Sequence, residues 1–166
     1  MSENLVDLYR HNLWANLRVI EYCRAQPDEL LDKSVGGTYG SARATLAHLI
    51  AAEEGYTGRL RGGRFFEDEL DEANPFPGFD DLVRRVQRTG AELPGLAATI
   101  ADRAMYQVDE GEFDVRAGVI LVQVINHATE HRAQIVTTLT TLGAPEISLD
   151  AWSWGFATGD MTKAER

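Results

Sequence analysis

His127 and His131 stand four residues apart in the run NHATEHRAQ, residues 126–134. On an α-helix, positions i and i+4 share a face with their Cβ atoms about 5–6 Å apart, so both imidazoles could turn toward one ion. The chain holds four histidines, and a pair at this spacing also arises by chance; hydrogen-bonded core histidines or solvated ones are the competing readings. A third candidate, His48, lies among Leu46, Leu49 and Ile50, at a position that helical periodicity turns inward. Cores of helix bundles are where metal sites are assembled from facing helices. Three imidazoles would leave a coordination position open, as catalytic sites do. Zinc or nickel suits such nitrogens, with iron, cobalt or manganese as further candidates, and affinity order does not choose among them.

Glu130 completes a formal H-x-x-E-H match, the inverted zinc-protease pattern with glutamate as general base. Such proteases need another acidic ligand farther along a larger fold, whereas only residues 132–166 follow His131. Glu130 also lies off the His127/His131 face, which favours a supporting or solvated role. His11, in YRHNLWAN beside Trp14, reads as a surface or boundary residue.

The elements that must carry these residues are helical. Leu5, Leu8/Tyr9, Leu13, Leu17 and Ile20 recur at three-to-four spacing, predicting a first helix that Pro27 ends. After the loop GGTYGS (36–41), Ser41 can cap a second helix from about Ala42 to Leu60. Residues 62–78 combine Gly, Pro, Asn and acids and predict an exposed loop, parts of which pack down through Phe65, Phe66 and Phe76. A third helix starts near Asp80, with a kink or break expected at Gly90 and Pro94. Residues 106–116 fit either a short hairpin or an extended connection. The fourth helix, about Ala117 to Leu142, is apolar nearly all round in its first half and should be central. The tail SLDAWSWGFATGDMTKAER shows no helical period and is expected to lie across the bundle or at an interface before fraying. Four long helices without alternating strands imply an all-α, antiparallel four-helix bundle, a single domain over residues 1–166.

Bulk chemistry removes several partners. Acids outnumber bases 26 to 16, for a net charge of −10, which disfavours nucleic acid and anionic membrane surfaces. The single cysteine, Cys23, reads as a core or boundary residue and fits a reducing compartment. MSENLVDLYR has no apolar signal core, and the apolar run 117–125 is too short to span a bilayer, so a cytoplasmic location is expected.

Together, HNLWANLRVIEYC, GSARATLAHLIAAEEGYTGRL and NHATEHRAQIVTTLTTLGAP resemble the DinB/YfiT-like metalloenzyme family, in the right order over most of the chain. The resemblance implies a four-helix bundle, commonly a homodimer, with a divalent metal held by one histidine of the second helix and two of the fourth: His48, His127 and His131. Where relatives often have H-R-G-Q, this chain has His131, Arg132, Ala133 and Gln134, a change that should preserve the helix. Family members with assigned activity include transferases and isomerases that use bacillithiol or mycothiol, which implies a thiol S-transferase acting on a small-molecule electrophile. Substrate choice would rest on the loops and on first-helix residues such as Trp14 and Asn16. Two alternatives stand beside it: a metal-dependent hydrolase with Glu130, Glu53 or Glu54 accepting the proton from water, and a non-catalytic dimeric metal-binding stress protein.

Overall fold

The apolar stripe of the first helix winds as α1 (Glu3–Arg24), sealed into the core by Ala15, Val19 and Ile20. The structure is a computed structural model that describes residues 3–101, 104–108 and 112–163; Leu5, first in the expected stripe, falls outside the side chains described. Past Pro27 the chain makes one further helical turn, α2 (Asp28–Leu31), which buries Leu31 and had no periodic signal. At the next start, the Ser41 hydroxyl accepts from the Ala44 N–H at 3.2 Å and opens α3 (Ala42–Leu60).

The third long helix, α4 (Phe79–Thr99), continues through Pro94 without the break that the sequence suggested. Proline removes one hydrogen bond, but Leu93 and Ala97 on either side are buried, and their packing outweighs it. Gly90 serves close approach instead: a Cβ there would sit 2.6 Å from Leu13 Cδ1 of α1. Of the two readings of residues 106–116, the hairpin forms, with β1 (Met105–Val108) antiparallel to β2 (Phe113–Arg116) and Val108 opposite Phe113. Its turn, residues 109–111, lies outside the described residues. The strand leads directly into α5 (Ala117–Thr141).

The tail departs from expectation. Asp150 accepts from the Ser153 N–H at 2.7 Å and caps α6 (Ala151–Thr158), a two-turn helix against α1. The last residues, 164–166, where fraying was expected, lie outside the described residues.

Cross-links give the helix directions. Tyr9 donates to the Leu121 carbonyl at 3.0 Å and Tyr22 to the Pro145 carbonyl at 2.8 Å, so α1 and α5 run the same way. Arg24 at the end of α1 meets Asp80 at the start of α4, 2.7 Å away, so this pair is antiparallel. Glu54 pairs with Arg85 at 3.0 Å and Arg61 with Glu92 at 3.3 Å, making α3 and α4 parallel. The result is an all-α four-helix bundle, up-down-down-up, in which α1 and α3 each pack against both α4 and α5. Parallel α3 and α4 require a return along the whole 19-residue helix, roughly 28 Å, and residues 61–78 supply it.

Two apolar clusters fill the bundle. One joins Ile20, Leu46, Ile50, Leu82, Val86, Ile135 and Leu139; the other joins Tyr9, Leu60, Leu93, Ile120 and Val124. Asn12, Asn16, Glu53, Thr89 and Arg132 are buried polar residues joined to one another by hydrogen bonds. The first half of α5 is not central as expected: Val119 and Val122 are 49% and 69% exposed, because a ring of four helices leaves each an outer face. No described helix is long and apolar enough to cross a membrane.

Candidate metal centre

Helix α3 presents His48 and α5 presents His127 and His131 where these antiparallel helices cross. The Nε2 atoms of His127 and His48 are 3.2 Å apart, those of His131 and His127 are 3.1 Å apart, and one ligand atom from each of the three lies within 4.8 Å of the others. Nitrogens held about 2.1 Å from a tetrahedral ion stand about 3.4 Å from one another, so this convergence suits a single ion. His131 is buried, whereas His48 is 23% exposed, leaving an approach from the surface.

The outward nitrogens fix the tautomers. His48 Nδ1 lies 3.0 and 3.1 Å from the two oxygens of Glu72; an ionised carboxylate only accepts, so Nδ1 carries the proton and Nε2 keeps its lone pair. His131 Nδ1 donates to Gln134 Oε1 at 2.8 Å, and the Tyr39 N–H donates to the same oxygen at 3.3 Å. Two Nε2 lone pairs therefore face one point beside His127. A proton on His127 Nε2 could satisfy one of them, whereas a cation satisfies all three rings at once. Burial, reinforced by His131 and then His48, pushes the His127 imidazole down to about 4, so it is neutral and available to a metal at pH 7.

Aromatic rings enclose the cluster. Tyr39, from the glycine loop, stacks on His48 with centroids 4.2 Å apart and meets His131 edge-on at 5.2 Å. Gly37, at φ +87°, makes the loop turn that a side-chain-bearing residue would strain. Tyr56 meets His127 edge-on at 5.7 Å on the opposite side.

Behind His131, the buried Arg132 donates from Nη1 to Asn12 Oδ1 at 2.7 Å and Asn16 Oδ1 at 2.6 Å. Both asparagine amides donate to Glu53 Oε2 at 2.8 Å, and Thr89 donates to Glu53 Oε1 at 2.5 Å. This chain ties all four long helices together one residue from His131 and five from His48. It also removes Glu53 as a free proton acceptor. Glu54 is fully buried and bound by Arg85, by Arg88 and by the Leu70 N–H at 2.8 Å. Glu130 is exposed, on the solvent side.

The acidic loop is anchored rather than loose. Arg85 donates to the Asp68 carbonyl at 2.5 Å, and Phe66 lies under the Arg88 and Arg61 guanidinium groups at 3.8 and 4.6 Å. These contacts, with Glu54 on Leu70, carry Glu72 to His48. Glu72 and Tyr39 had no signal in spacing, since loop residues follow no period; Tyr56 shares the inward helical period of Leu46, Leu49 and Ile50, and Gln134 stood three residues past His131. His11 sits at the boundary as expected, 2.9 Å from the Leu149 carbonyl between Trp14 and Trp154. Asn16 is a buried structural residue and not a pocket wall.

A family model described as the DinB family matches residues 1–162. The chain belongs to the DinB family. It is also 23% identical over 176 aligned positions to Protein DinB of Bacillus subtilis (strain 168), covering 100% of this chain and 99% of that protein. For a DinB-family chain with this bundle, three histidines so close together could hold a metal ion.

Proposed function

We propose that this DinB-family chain is a single-domain, metal-dependent enzyme in which His48, His127 and His131 hold one divalent ion, and that it transfers a low-molecular-weight thiol such as bacillithiol or mycothiol onto a small electrophile. The observation that carries the reading is the convergence of three Nε2 atoms, with Glu72 and Gln134 holding Nδ1 protons on the far sides of two rings. A divalent ion held there, zinc or nickel before iron, cobalt or manganese, would supply the Lewis acidity that lowers the pKa of a thiol.

The chain's own side chains do the rest. Glu72 and Gln134 aim the imidazoles inward, and Tyr39 shields His48 and His131 from water on one flank. Tyr56 stands beside His127 with its oxygen accepting from Gln123 Nε2 at 3.3 Å, which leaves its own O–H to donate toward a bound electrophile. In the transfer, the thiolate sulfur forms a C–S bond as the carbon–leaving-group bond breaks, and the leaving group takes the electron pair. Hydrolysis gains little support, because Glu53 and Glu54 are committed to buried partners and Glu130 points to solvent. A purely structural role for the metal is distinguished by turnover itself.

Metal-loaded protein incubated with bacillithiol or mycothiol and a haloarene or epoxide should show thiol-dependent product that disappears in His48→Ala. Thiol-independent turnover would favour hydrolysis instead, and metal binding without turnover of any tested pair would favour a non-catalytic role. We further propose pairing of two copies through the outer face of α1 and α5, where Leu8 and Val122 are exposed beside Leu121 and Ile125 in an apolar groove of about 750 Å³. Action in the cytoplasm, away from nucleic acid and membranes, completes the reading.

A further inference from the structure

A second, smaller cavity of about 250 Å³ opens one helical turn from His127, between α3, α5 and the hairpin. Its walls are apolar: Val108 and Val115 from the two strands, and Val119 and Ile120 from α5. Its polar groups are few, Arg59 and Tyr56 from α3 and Gln123 from α5. Gln123 precedes His127 by four residues, and Tyr56 is the residue whose ring edge meets His127, so the Tyr56 and Gln123 end of this cavity adjoins the histidine cluster.

Arg59 gives the cavity its chemistry. The neighbouring Arg61 is neutralised by Glu92 at 3.3 Å, and Arg85 and Arg88 are consumed by Glu54. Among the described residues, no carboxylate lies within 4.0 Å of Arg59. Its guanidinium instead lies over Phe65 at 5.8 Å, with Glu69 acting on it only from farther away. An arginine on the edge of an apolar chamber can hold an anion there. A dry apolar cavity of about 150 Å³ is enough for benzene, so this one has room for an arene or branched alkyl group with one substituent.

We infer that this chamber is the electrophile's subsite: it takes a small apolar molecule bearing a carboxylate, with the hydrocarbon between Val115, Val119 and Ile120 and the carboxylate on Arg59. The inference rests on the three-histidine enzyme reading, since it is that cluster beside which the substrate would be placed. Gln123 donates to the Tyr56 oxygen at 3.3 Å, which leaves the Tyr56 O–H, at the chamber's edge, as a donor for the same ligand.

The test uses benzoate and benzamide as probes, followed by methyl resonances of Val115, Val119 and Ile120 in the full metal-free chain. Benzoate should shift these signals saturably and bind at least about tenfold more tightly than benzamide, the worth of one charge-assisted pair. Arg59→Gln should erase that preference with the fold intact, and Val119→Phe, at a half-exposed position, should block both probes. Equal affinity for the two probes, or an unchanged preference in Arg59→Gln, overturns the inference. His48→Ala should still bind benzoate while cobalt-loaded wild type should broaden the benzoate protons. If cobalt fails to load, the metal reading falls while the probe arms still report on the chamber; if cobalt loads and benzoate binds without broadening, the chamber is not the electrophile's subsite.

Discussion

Replacing Arg132 with Leu isolates the buried polar chain that holds the histidines in register. The substitution removes three hydrogen bonds, two to Asn12 and Asn16 and one to Thr129 Oγ1 at 3.1 Å, and leaves the Glu53 carboxylate without a counter-charge inside the bundle. Removing one partner of a buried pair costs about 3–5 kcal/mol. For a protein of this length, that corresponds to a Tm lower by roughly 6–20 °C. Burial already pushes the Glu53 carboxyl up, opposed by the hydroxyl of Thr89, the amides of Asn12 and Asn16 and the charge of Arg132. Without Arg132 that rise is larger. A carboxyl raised in the folded state is best tolerated below its unfolded value, so the variant should lose stability as pH rises above about 4.3, more steeply than wild type. Urea unfolding at pH 5 and pH 8 measures both quantities. Glu53→Gln added to Arg132→Leu should recover part of the loss and remove the extra pH slope. A cost of Arg132→Leu under about 1 kcal/mol, or an identical slope in the double variant, would refute the account of this layer.

Other consequences can be measured directly. Glu72→Ala and Gln134→Ala should each weaken metal binding by about 10–100-fold in calorimetry with helicity unchanged, since each orients one imidazole. His127, lowered to about 4 in the folded apo protein, should make that form lose stability as pH falls from about 6.5 toward 4, and bound metal, which competes with those protons, should suppress the loss in thermal melts. Val122→Asp, at a residue 69% exposed on α5, should leave the fold intact and convert a dimer to monomer in light scattering. Gly90→Val should lower Tm by several degrees, because its Cβ would fall within 2.6 Å of Leu13 Cδ1 where α1 meets α4.

The histidine cluster was readable because its three members sit on long helices. Period placed His48 inward, spacing aligned His127 and His131, and Ser41 marked where α3 begins. What escaped was set by tertiary contacts. Glu72 reaches His48 only because Glu54, Arg85 and Arg88 clamp a loop without periodic pattern, and Tyr39 covers the cluster from a glycine loop. The break expected at Pro94 failed because burial of Leu93 and Ala97 outweighs one lost bond. Helix α6 has no apolar stripe, and its start rests on one local cap, Asp150 on Ser153. Continuous apolarity in early α5 marked an exposed groove rather than a bundle centre, since an apolar run does not say which of its side chains turn to the outer face of a four-helix ring.

Elemental analysis and calorimetry of protein purified without a metal-binding tag test the central claim most directly. The account predicts about one divalent ion per chain, lost in each of His48→Ala, His127→Ala and His131→Ala while all three variants keep their helical content. Retention of metal by His48→Ala, or a wild-type chain that takes up no divalent ion on loading, would contradict it.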